Sequence, residues 1–175
     1  MAGKSHSTGS VLVEFLLLFM VVVVVTFSGI HLALNLKAGE ILSTLSRESA
    51  KLAAARCAGL NDPAPCIDVV LADLDISAQT LLPGSAIVIS VYEVDVAANV
   101  VAFIASRSTS PHVTSRYNAN RFAALTLSRA DLAYLTSFRK RLVLSEVFFS
   151  RKVSMPILNY IMGDAIGDSY ELSIY

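Results

Sequence analysis

Charge is scarce in this sequence. Aspartate, glutamate, lysine and arginine make up 16% of its 175 residues, against roughly 25% in a typical soluble domain. The charges present cancel, with 14 basic and 14 acidic side chains. No global field therefore points to an acidic partner, and nucleic acid is excluded as an expected partner. The patterns that carry most catalysis are missing as well. There is no glycine-rich phosphate loop and no His-Glu-x-x-His, and the serines lie in no nucleophile elbow. The three histidines, His6, His31 and His112, are far apart. These absences predict a non-enzymatic protein without cofactor or metal. Proline is absent from the first 62 residues, so nothing there interrupts a helix.

What is present is concentrated near the amino terminus. Phe15 to Val25 is eleven apolar residues without a break, and no charged side chain occurs from Phe15 to Leu36. That run exceeds the roughly 18–20 residues needed to cross a bilayer core, and Leu16 to Val25 has no polar face that a soluble core helix would show. A conventional signal peptide cut after Ser28, or an unprocessed single-span anchor with an outer interaction domain, is the rival reading. Glu14 argues against both. A carboxylate costs about 2.5–3.5 kcal/mol at the centre of a span and less near its edge, and a mere anchor has no use for it. Lys4, His6 and the free amino terminus precede the run without an acid, whereas Lys37 and Glu40 beyond it cancel. This asymmetry predicts a single-pass protein with a cytoplasmic amino terminus.

Helical periodicity continues past the span. Ile30, Leu34, Ile41, Leu45, Leu52 and Ala55 recur at steps of three, four and seven, predicting one helix over residues 10–58, with its transmembrane part at 12–36. Gly59, Asn61 and Pro63 stop it. A small α+β domain is expected over residues 59–175. Within it, Pro65 to Asp75 reads as a short helix with the stripe Ile67, Val70, Leu71 and Leu74, and with Asp68 at its positive end. Leu82-Pro83-Gly84 reads as a turn. Ala86 to Val96 alternates as a strand, with Glu93 and Asp95 on its wetter face. A solvated strand edge explains that acid pair better than acid–base chemistry does.

Ala97-Ala98-Asn99 connects to a second strand, Val100 to Ser106, and residues 107–120 read as a loop. Ser128 to Asp131 is a capping box before a short helix with Leu132, Leu135 and Phe138. Leu142 to Phe149 is a third strand, opened by the basic edge Arg139-Lys140-Arg141. Met155 to Met162 is a small helix or apolar hook, and Tyr170 to Tyr175 a terminal strand. The expected fold class is α+β: a long helix packed on three or four antiparallel strands. Glu146 shares a face with Leu142, Leu144 and Phe148, so it is expected either buried against a basic partner or at a contact surface.

Cys57 and Cys66 bracket a short loop containing Pro63 and Pro65. If the chain is exported, the compartment permits a disulfide there. Two free buried thiols are the alternative, and a zinc site lacks its other ligands.

The stretch Gly9-Ser10-Val11-Leu12-Val13-Glu14-Phe15 resembles the processing site of type IV pilins and pseudopilins. It is similar to that of the tight-adherence (Tad) pilus subfamily and its TadE-like minor pseudopilins, without separating these from TadF-like members. Val143-Leu144-Ser145-Glu146-Val147-Phe148-Phe149 is similar to a late, valine-rich segment of the TadE-like group, with Phe149 where tyrosine is common. The resemblance implies a leader at residues 1–9, cut between Gly9 and Ser10 by a prepilin peptidase. It implies that Glu14 serves processing or subunit registration, and that Glu146, Val147, Phe148 and Phe149 form a contact segment. It further implies an inner-membrane protein with a periplasmic domain. Its partners would be other pilins or minor pseudopilins, the inner-membrane assembly platform and the lipid bilayer, and its role non-enzymatic assembly of an adhesive pilus.

Overall fold

With no proline before Pro63, the first third of the chain forms one helix, α1, over Ser7–Cys57. The computed structural model describes residues 7–95, 100–117, 130, 141–150 and 169–175. The chain divides into two units, Met1–Gly39 and Glu40–Tyr175. In the first unit, valine, leucine and phenylalanine side chains stand exposed all round the helix. An all-apolar surface with nothing packed on it is that of a helix whose solvent is lipid. Among the described residues α1 is the one helix long and apolar enough to cross a membrane, with a mean hydropathy of 2.8 in its most apolar window. Thr26 is harmless there because its hydroxyl donates to the Val22 carbonyl at 2.7 Å, closing its polarity inside the helix.

In the second unit, α1 packs on a four-stranded antiparallel sheet of order β2-β1-β3-β4. The strands are β1 (Ser85–Asp95), β2 (Val100–Ser108), β3 (Arg141–Phe149) and β4 (Ser169–Ile174). Their bounds differ from the expected ones by one or two residues. The expected connection at residues 97–99, the helix at 128–138, Arg139 and Lys140 of the basic edge, and the segment 155–162 lie outside the described residues, Ala130 excepted.

β1 and β3 are buried on both faces. Ile87, Ile89, Val91, Val143, Ser145 and Val147 share one face, and Val88, Ser90, Tyr92, Leu142, Leu144 and Glu146 share the other. The first face receives α1 through small side chains together with Leu42 and Leu45. Leu42, Leu45, Ser46, Ser49, Ala50, Ala53 and Cys57 are buried, whereas Leu52 is half-buried and Ala55 exposed. Of the expected stripe Leu45 is buried and Ile41 half-buried, so the contact face overlaps it and departs from it chiefly at Ala55. Close approach to a sheet favours small side chains over large ones, and hydrophobic periodicity weighs size the opposite way. Ser46 donates to the Ser145 carbonyl at 3.1 Å, and the Ser49 and Ser145 hydroxyls meet at 2.5 Å. Each buried hydroxyl of this contact is thereby satisfied.

The helix expected at 65–75 is α2, Ala64–Leu81, six residues longer at its end. It starts on Pro63, with Asp62 accepting the Ala64 N–H at 3.1 Å. It persists because Ala78 is buried and because Gln79 organises the exit. The Gln79 amide donates to the Ser85 carbonyl at 3.1 Å and accepts the Gly84 N–H at 2.9 Å. Gly84 has φ +86°, a left-handed conformation that glycine adopts without strain. Asp68 falls beyond the first turn. It meets Arg107 of β2 at 3.3 Å instead, with both groups exposed, so the pair adds little stability.

Cys57 and Cys66 form the expected disulfide, with Cα atoms 5.6 Å apart. It ties the end of α1 to the first turn of α2. Replacing both cysteines by serine is expected to lower stability by about 2–3 kcal/mol, read as a shift in the urea midpoint by circular dichroism, with α1 still inserted in membranes.

Candidate functional site

Two places collect the residues singled out above, one in each unit. In the first, α1 begins at Ser7, which puts Gly9 and Ser10 in its opening turn and Glu14 one turn beyond Ser10. Glu14 is exposed between Val13 and Phe15, themselves 57% and 67% exposed. No hydrogen bond or ion pair engages it among the described residues. A carboxylate at the edge of an apolar span is thus presented outward, where a positive group from elsewhere can reach it.

The second place is built around Glu146, in the middle of β3 and 0% exposed. The chain after β2 crosses the second face of the sheet and delivers three consecutive residues to it. Ser115 donates its hydroxyl to Oε2 of Glu146, and the Arg116 N–H donates to Oε1 at 3.0 Å. From β4, the Tyr170 hydroxyl donates to Oε1 at 3.0 Å. Tyr92 of β1 donates to the Tyr117 carbonyl at 2.7 Å, and the Tyr117 N–H donates to the Ser115 hydroxyl oxygen at 3.1 Å. Charge-assisted donors of this kind are what let a carboxylate remain inside a sheet.

The Arg116 guanidinium lies over the rings of Phe148 and Tyr170, 5.2 and 4.4 Å from their centroids, a favourable seat for a cation. Burial raises the pKa of both Tyr170 and Tyr92, and the Glu146 carboxylate raises each further. Both phenols therefore stay protonated and remain donors at neutral pH.

Glu146 is thus buried, although the expected basic partner is not among the donors given above. The donors that hold it there are hydroxyls and a backbone N–H. Val147 is buried beside it, while Phe148 and Phe149 are half-buried. Ser115, Arg116, Tyr92 and Tyr170 were not legible as a cluster. The only signal was a lone glutamate on an apolar strand face. Arg141 departs from the expected solvated basic edge: its guanidinium donates to the Ala58 carbonyl at 3.3 Å and to the Leu60 carbonyl. It satisfies carbonyls just past the end of α1, where a cation is favoured. Glu93 is exposed.

A groove of about 480 Å³ opens between β2 and residues 110–117, over Val88, Phe103, Ser106, Val113 and Tyr117. Among the described residues its lining contains no carboxylate, histidine or cysteine. Among the described residues no cluster of His, Cys, Asp and Glu is gathered to hold a metal.

No protein-family model, curated protein or solved structure matches this chain. Its class therefore follows from architecture. It is a small membrane-associated protein with one span-length apolar helix and a disulfide-stabilised domain. Helix on antiparallel sheet is a pilin-like architecture in the generic sense.

Proposed function

We propose that this chain is a non-enzymatic assembly component of a type IV-like filament system, of the TadE-like minor pseudopilin kind. It would be cut between Gly9 and Ser10 and held in the inner membrane with its α+β domain in the periplasm. One observation carries the reading: a helix whose apolar span bears one outward carboxylate, Glu14, continues to supply the helix layer of a small antiparallel sheet. A plain anchor needs hydrophobicity alone, and a secretory signal has no reason to continue in phase into a domain core. Cleavage places a new ammonium at Ser10, one helical turn from Glu14. That ammonium, from the same subunit or a neighbour, offsets the cost of holding the carboxylate in an apolar setting. The partners follow from the reading: a prepilin peptidase, other pilins or minor pseudopilins, the inner-membrane platform and the bilayer.

Amino-terminal sequencing of the protein extracted from cells with an active prepilin peptidase tests the reading. A terminus at Ser10 is expected. A retained Met1–Gly9 segment would overturn it in favour of an anchor, and a terminus at Gly29 in favour of a conventionally secreted protein.

A further inference from the structure

The two edges of the sheet differ. At one edge, β4 carries the charged Glu171. β2 pairs with β1 alone among the described residues. Residues 100–106, Val-Val-Ala-Phe-Ile-Ala-Ser, contain neither charge nor proline. Sheets normally protect such an edge with lysine, proline or a bulge, because its unpaired N–H and C=O groups template another strand. Among the described residues, protection covers only the second half of β2. Ile104 is the extra residue of a bulge, since Val91 pairs with Ala105 and Tyr92 with Phe103. Beyond it, Arg107 is held against Asp68. Ahead of the bulge, Val101, Ala102 and Phe103 remain regular strand. Ala102 is exposed, and Phe103 is 49% exposed although its ring meets Tyr92 edge-on at 5.8 Å.

We propose that this segment of β2 docks antiparallel against the same segment of a second copy of the chain, about a two-fold axis through Ala102. Three features select that occupant and register. A two-fold axis perpendicular to the sheet keeps each face continuous, so only registers that oppose residues of like face are allowed. Centring on Ala102 sets Val101 opposite the partner's Phe103 and covers the exposed ring, a β-branched–aromatic pairing that sheets favour. Val101 already packs on the cluster of Tyr92, Val94, Leu142 and Leu144, so the pairing joins two apolar clusters into one.

The segment is also self-compatible in charge. The nearest acid, Glu93, lies opposite Ala102 on β1. The two Glu93 side chains of a dimer would stand three strand spacings apart, about 14 Å, beyond a Debye length of about 8 Å. The bulge at Ile104 ends the pairing and so limits it to a short, reversible contact. None of this depends on whether Gly9 is cut.

The test uses the full chain in detergent micelles. Ala102→Cys is expected to oxidise to a covalent dimer through the 102–102 bond, located by peptide mapping. Ser77→Cys, exposed on α2, should stay monomeric. In sedimentation equilibrium the unaltered protein should dimerise. Ala102→Lys should weaken that association about tenfold or more, because two like charges then meet on the axis. The introduced ammonium would face Glu93 within its own sheet, so an unchanged circular dichroism spectrum is expected. A protein that is monomeric at every concentration overturns the proposal, as does a dimer that Ala102→Lys leaves intact.

Discussion

Glu146→Ala is expected to destabilise the α+β domain by about 2–4 kcal/mol, because it leaves buried donors without an acceptor. Of the three donors, the Ser115 and Tyr170 hydroxyls can rotate toward other acceptors. The Arg116 N–H is fixed by the backbone and cannot. The residue is wholly buried, so water does not replace the lost acceptor unless the segment 109–117 lifts from the sheet. Loss of that amount is a large share of the roughly 5–15 kcal/mol that holds a domain. Glu146→Gln keeps shape and one acceptor oxygen but turns an N–H₂ toward existing donors, and should cost about 1–2 kcal/mol.

The measurement is urea unfolding of the full chain in detergent, followed by circular dichroism, since the sequence has no tryptophan. Hydrogen exchange at residues 109–117 should accelerate in both variants before the sheet itself loosens. A Glu146→Ala protein within about 0.5 kcal/mol of the parent would mean that the carboxylate does not anchor that segment.

Gly9→Val is expected to abolish processing, with the chain accumulating in the membrane with residues 1–9 attached. A peptidase takes its substrate extended, whereas Ser7 onward is helical, so the first turn must unwind to be cut. Glycine lowers that cost, being about 1 kcal/mol less favourable in a helix than alanine, and it presents no side chain to the incoming enzyme. Gly9→Ala should therefore slow cleavage, and Gly9→Val block it through bulk. Glu14→Ala separates processing from assembly: it should insert as well as the parent, having lost a charge from the span, and yet fail to support filament formation. Glu14→Gln should retain size and polarity but lose most of the pairing with the new ammonium. Intact mass of the extracted protein reads the first effect, and electron microscopy of surface filaments the second. Normal cleavage of Gly9→Val would remove the processing site from Gly9, and normal filaments with Glu14→Ala would remove the carboxylate from assembly.

Much of the architecture was legible because it is local. The span follows from an unbroken apolar run, and the helix beyond it and the described strands from repeats of 3.6 or 2 residues. Such repeats state which way neighbouring side chains point without reference to the rest of the chain. The disulfide was legible because it is local: its cysteines lie nine positions apart, and a prolyl loop of that length keeps them close. Gly9, Ser10 and Glu14 were found as one contiguous stretch, and their spacing along α1 is a property of the helix itself.

What only the tertiary structure decided lies between residues far apart in sequence. Ser46 meets Ser145 across 99 positions, Arg141 reaches Ala58 across 83, and Glu146 meets Ser115 across 31. No periodicity encodes which serine faces which strand. Beside Leu42 and Leu45, the buried face of α1 carries Ser46, Ser49, Ala50 and Ala53, small residues that hydrophobic periodicity does not count. α2 outran its expected end because Gln79 closed a turn with Gly84 and Ser85 that exists only once β1 is in place. Amino-acid order determined the elements and the outward carboxylate of the span. The path of the chain determined the partners of Glu146, because a buried charge is tolerated only where folding has already gathered donors around it.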